Sequence, residues 1–148
     1  MQELFVRTDK KLISTLPRYT FGGRIIVVQS ESEANRAVAY LRTQKIVGID
    51  TETRPSFRRG QQHKVALIQI ATPDICFLFR LNYMGFPESL VNLLEDAQIA
   101  KVGLSLKDDT HQLTQRHPGF TPKHFIDLQQ MASQMGIEDM SLAKLFAN

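Results

Sequence analysis

The chain's 148 residues are 43% hydrophobic and 22% charged, the balance of one globular domain able to bury about 70% of its unfolded surface. Its net charge of +3 permits a polyanionic partner but falls short of a polybasic tail that would require one. One cysteine, Cys76, excludes an internal disulfide framework. No apolar run suits a signal peptide or a membrane span, because Arg7, Asp9, Lys10 and Lys11 interrupt the N-terminus; the expected location is cytoplasmic.

Residues 1–23 read as a leader with one short helix that starts near Thr8 and ends near Pro17. A domain is expected over 24–148, with no internal repeat or linker. "RIIVVQS" reads as a strand. Ser30 and Glu33 form a capping box for the next helix, in which Ala34, Ala37, Val38 and Leu41 make one apolar stripe. Three strands follow, Lys45–Thr53, Lys64–Ala71 and Ile75–Leu81. Their short connections, a loop containing Gly60 and then "TPD", make them antiparallel neighbours. Cys76, within "ICFLF", reads as a buried small hydrophobe.

"FPESLVNLLEDA" is expected to be a helix with Pro87 at its first position. "IAKVGLSL" gives a strand that feeds a helix through "KDDTHQLTQRH", and "HFID" a short strand. The helix after it carries Leu128, Met131, Ala132 and Met135 in register and stops at Gly136. "SLAKLFAN" starts one more. The expected architecture is α/β: a mixed sheet of three antiparallel strands, then parallel βα units, with flanking helices.

Two patterns carry chemistry. In "KIVGIDTET" an apolar strand runs into Asp50 and Glu52, which share one face at a separation of roughly 6–7 Å. The apolar run before them implies a central strand and hence partial burial, so their repulsion is about 2–3 kcal/mol and needs an offset: a shared proton, a basic partner or a bound cation. In "KVGLSLKDD", helical spacing puts Leu106, Asp109 and Leu113 on one face, so Asp109 looks toward the sheet, while Asp108 suits the first helical turn. A hard divalent cation, Mg²⁺ or Mn²⁺, would serve Asp50, Glu52 and Asp109 together.

Asp50-Thr51-Glu52-Thr53, then "KVALIQI", then Gly103 to Asp109 as Gly-x-x-x-x-x-Asp, resemble the first two motifs of the DEDD superfamily of 3′–5′ exonucleases, in its ribonuclease D and Werner exonuclease branch. The resemblance covers Ile46 to Leu113 well and "HFIDLQQMA" to "SLAKLF" more loosely. It implies a ribonuclease H-like fold and a two-metal hydrolysis of phosphodiester bonds at the 3′ end of DNA or RNA. Asp50 and Glu52 would ligate the metal pair, and Asp109 would hold the second ion. The family's third motif, a Tyr or His a few residues before a fourth metal-binding Asp on a C-terminal helix, has no match. No Tyr follows Tyr83, and His124 and Asp127 sit three apart at the end of a strand. The expectation is a chain whose C-terminal part is missing, inactive or weak as it stands.

The loop "RPSFRRGQQHK" offers Arg54, Arg58 and Lys64 for phosphates and Phe57 for base stacking. Asp127 suits the N-cap of the helix at Leu128 better than a metal ligand. His111 and His117 have no ligand-like spacing, and Gln69 reads as an internally satisfied strand residue. Two other classes fit the same pattern: a non-catalytic nucleic-acid-binding module on this fold, and a phosphohydrolase of small nucleotide esters.

Overall fold

The computed structural model describes residues 23–53 and 65–134. The expected leader helix, the basic loop with Arg54, Phe57, Arg58 and Lys64, and the segment after Gln134 lie outside the described residues. Among the described residues six strands form one sheet: β1 (Arg24–Val28), β2 (Ile46–Thr53), β3 (Val65–Ala71), β4 (Ile75–Arg80), β5 (Ala100–Gly103) and β6 (Phe125–Asp127). Their spatial order is β1-β4-β3-β2-β5-β6. β2, β3 and β4 are antiparallel neighbours, as the short connections predict, while β1–β4, β2–β5 and β5–β6 are parallel.

The helices are α1 (Glu31–Leu41), α2 (Leu81–Met84), α3 (Glu88–Leu94), α4 (Leu106–Arg116) and α5 (Leu128–Gln134). The Ser30 hydroxyl accepts from the Glu33 amide at 3.2 Å and starts α1, whose Ala34, Ala37, Val38 and Leu41 are all buried. Two boundaries differ from expectation. Leu81 ends no strand but opens α2, four residues too short to carry a helical period. Pro87 is the N-cap of α3 rather than its first residue, with ψ 148° placing it in extended backbone. No helix among the described residues is long and apolar enough to cross a membrane.

Strand alternation divides the sheet into two unlike faces. Registered neighbours Ile49, Ile70 and Phe77, and likewise Val28, Phe79 and Ile68, are buried and point to the side where α1, α3 and α4 contribute Leu41, Leu90, Leu94, Leu106 and Leu113 to one core. On the other face, Asp50 registers with Gln69, and Gly48 with Ala71 and Val102. There Ile25 is 63% exposed and Ile46 62%, so among the described residues this face is open. Cys76 belongs to it and is half-buried rather than buried, although burial still pushes its thiol up.

Lys101 is fully buried on the core side. Its Nζ donates to the carbonyls of Asp96 at 2.7 Å and Leu93 at 3.3 Å, closing the C-terminal end of α3, and lies 5.5 Å from the centre of the Phe125 ring. Desolvation lowers its pKa to about 8, against a smaller opposing pull from Asp96.

Candidate active site

The site begins where β2, an interior strand, reaches its C-terminal end. Asp50 and Glu52 are both exposed on the open face, with a register shift between Glu52 and Thr53. Their exposure corrects the expectation of partial burial. Alternation puts two acids on one side, but only the covering of that side decides the dielectric, and in water their repulsion falls below about 1 kcal/mol. The offset they require is correspondingly small.

Thr51, between them, points the opposite way and is half-buried. Its hydroxyl donates to Oδ1 of Asp109 at 2.8 Å. Asp109 lies in the first turn of α4 and is half-buried between the buried Leu106 and Leu113, as the helical spacing predicts, while Asp108 is exposed. Asp109 therefore reaches the β2 terminus from the core side, and Asp50 from the open side. Desolvation raises the Asp109 carboxyl above its ordinary value; the negative charges of Asp50, Asp108 and Asp127 push the same way, and the Thr51 bond opposes them.

Gly103 allows α4 to start so close to β2. A Cβ there would collide with the carbonyl oxygen of Ile49 and lie 2.8 Å from Cδ2 of Leu106. Ser105 then takes the left-handed conformation, φ 53°, that turns the chain into the helix. Arg116 ends α4 and donates to the carbonyls of Val65 and Leu81, both at 2.8 Å. Asp127 caps α5 through the Gln129 amide, as the sequence suggests, but it also accepts from the amides of Ser105 and Leu106.

The donor set suits a hard divalent cation: it is all carboxylate oxygen, with negative charge accumulating around a partly desolvated acid. As arranged, no three of His, Cys, Asp and Glu among the described residues lie close enough to hold one ion. A groove of about 310 Å³ opens beside Asp50 on the exposed face, walled by Gly48, Gln69, Cys76, Gly103 and Leu128. Gln69 is half-buried there rather than enclosed in the core. His111 is exposed on α4, where its Nε2 lies 3.2 Å from Nε2 of Gln115, and the His117 ring packs against Phe86 at 5.6 Å, tilted by 50°.

Reasoning from the sequence missed three contributors. Thr51 was legible in principle, since a residue between two same-face acids must face the other way. Arg116 follows Leu113 by three positions and so falls on the buried stripe of α4. The double role of Asp127 had no local signal.

A mixed sheet whose central strand ends in Asp-x-Glu, met by an acid from the helix after the fifth strand, is an α/β arrangement of the ribonuclease H-like kind. The family model described as 3′–5′ exonuclease matches residues 25–148. The chain belongs to the 3′–5′ exonuclease family. It is 33% identical over 130 residues to a 3′-5′ exonuclease of Arabidopsis thaliana, which covers 80% of this chain and 45% of that protein. It also resembles the solved EXD2 exonuclease domain, with TM-score 0.64, 28% identity, and coverage of 74% of this chain and 58% of that one. That domain has also been solved soaked in Mn and GMP. Trypanosoma brucei RNase D in complex with RNA U12 shares the fold, with TM-score 0.62, 22% identity, and coverage of 74% and 39%. The chain spans less than half the length of the curated relatives it matches.

Proposed function

We propose that this chain is a metal-dependent 3′–5′ exonuclease domain that hydrolyses phosphodiester bonds at the 3′ end of DNA or RNA. The observation that carries the reading is the Thr51–Asp109 bond, which brings the α4 acid to the strand end bearing Asp50 and Glu52. Asp50, Glu52 and Asp109 would hold Mg²⁺ or Mn²⁺. Such ions supply an acidic water as nucleophile and stabilise the leaving oxygen in an in-line displacement. Asp50 and Glu52, being exposed, can exchange solvent for a cation without reorganising the strand. Thr51 fixes one oxygen of Asp109, so its carboxyl is oriented before any ligand arrives.

The substrate end would lie along the open face beside Asp50. Arg54, Arg58 and Lys64, between β2 and β3 in sequence, would neutralise phosphates, and Phe57 would stack on a base. The EXD2 domain's structures with Mn and GMP support the choice of metal and nucleotide. The RNase D complex with RNA supports the polymer only through a shared fold. A cytoplasmic setting is part of the proposal, on the ground of the single cysteine.

A second reading is favoured by the absence, among the described residues, of three ligands close enough for one ion. It is a nucleic-acid-binding module without hydrolysis. The test is digestion of 5′-labelled single-stranded DNA and RNA in Mn²⁺, with a chelator control. The exonuclease reading expects a weak ladder shortened from the 3′ end and lost in Asp109→Ala. Retained binding without a ladder would establish the module instead.

A further inference from the structure

We infer that Asp127 is a positioning residue for Asp109, an inference that rests on the exonuclease reading for its functional meaning but not for its geometry. Asp127 ends β6 and registers with Gly103 at the end of β5. Its Oδ2 accepts from the Leu106 amide at 3.0 Å, and its Oδ1 from the Ser105 amide at 3.2 Å and the Gln129 amide at 2.9 Å. One carboxylate therefore caps two helices, α4 in trans and α5 in cis. The α4 N-cap residue, Ser105, makes no cap of its own; its hydroxyl donates to Oε1 of Gln129 at 2.6 Å.

The first turn of a helix leaves its amides without intrahelical partners, and a negative charge there is favoured by the helix dipole. Here Asp127 adds a carboxylate from a different strand to the Asp108 and Asp109 that the turn itself carries. The connection holds against strain: Ser105 at φ 53° and His124 at φ 57° are the non-glycine residues with positive φ among the described residues. Each flanks one side of the junction, and such backbone persists only where surrounding bonds fix it. Asp109 lies three residues past Leu106, within the turn that Asp127 holds. Arg116 anchors the opposite end of α4, two turns away. Tilting the first turn would carry the Asp109 carboxyl away from Thr51 while leaving that far end in place.

Three amides occupy the Asp127 oxygens, which makes them poor candidates for cation ligands. Its negative charge still acts on Asp109 from this distance.

The experiment combines residue-resolved amide exchange and calorimetric Mn²⁺ titration on the 148-residue chain, for the parent, Asp127→Ala, Asp127→Asn and Asp109→Ala. Asp127→Ala is expected to speed exchange of the Thr110 and His111 amides roughly tenfold and leave the last turn near Arg116 within about threefold. It should weaken Mn²⁺ binding by roughly tenfold, the order seen when a ligand's supporting group is removed. Asp127→Asn keeps one acceptor oxygen and should recover both effects partway; it also carries the test if the alanine variant fails to fold. Unchanged first-turn exchange in the variants overturns the inference, as does a uniform loss of protection across the sheet. Weakened Mn²⁺ binding with an unaltered exchange profile overturns it too, by making Asp127 a ligand. A parent that binds no Mn²⁺ defeats the metal-site reading alone, and the exchange profile then still decides the role of Asp127.

Discussion

The hydroxyl of Thr51 donates to Oδ1 of Asp109 at 2.8 Å, joining residues 58 positions apart across the end of the central strand. This bond sets how the acids meet. Asp50 and Glu52 face outward from the sheet, and Asp109 arrives from the core side through the residue between them. Thr51→Val keeps the shape and removes the donor. It should cost about 1 kcal/mol of stability. Because the bond lowers the Asp109 pKa, its loss pushes that carboxyl further up. Cation binding needs the ionised form, so the pH at which Mn²⁺ binding is half lost should move upward in the variant, as read by titrations at several pH values.

Asp109 also sets a prediction for the metal-free protein. Its folded pKa is raised above the ordinary 3.8, first by desolvation. Between the unfolded and folded values the native state binds more protons, so ionisation opposes folding and stability falls as pH rises through that window. Asp109→Asn still accepts from Thr51 and removes the charge. Chemical denaturation in chelator should find it more stable than the parent at pH 7, with the difference vanishing below about pH 4. By contrast, Asp50→Ala at an exposed position should gain less than about 1 kcal/mol.

Gly103→Ala tests the close approach of α4 to β2. The added methyl meets the Ile49 carbonyl and Leu106, one fixed by the sheet and the other buried in the core. A loss of about 2 kcal/mol or more is expected from such overpacking. The thermal midpoint measures it, and the Mn²⁺ affinity should fall with it because Leu106 begins the helix that carries Asp109.

Lys101 predicts a rise of stability in alkali. Its folded pKa is about 8 against an ordinary 10.5. Between those values the unfolded chain keeps a proton that the folded chain has released, so unfolding becomes harder as pH rises. The neutral amine still donates to Leu93 and Asp96. From pH 7 to 10 the parent should gain up to about 3 kcal/mol relative to Lys101→Met, compared by urea denaturation at each pH. Equal changes in both proteins would contradict it.

What the sequence discloses is periodicity. The α1 stripe, the antiparallel run of β2, β3 and β4, and the inward face of Asp109 all follow from spacing that any reader can count. The exposure of Asp50 and Glu52 does not, because alternation says which residues share a face but not what covers it. The same gap hides Cys76, whose apolar neighbours suggest burial while its face is open. A single turn such as Leu81–Met84 offers no period. The Asp127 bonds to Ser105 and Leu106 span 22 and 21 positions, and nothing local distinguishes an acid that caps its own helix from one that caps two. Buried Lys101 is hidden likewise, its partners being backbone carbonyls that any residue supplies.

The central claim, that the β2 acids and Asp109 together hold a divalent cation, is tested most directly by calorimetric titration of the chain with Mn²⁺ beside Asp109→Ala. Saturable binding in the parent that disappears in the variant is the predicted result. Indistinguishable isotherms, whether both bind or neither does, would contradict it.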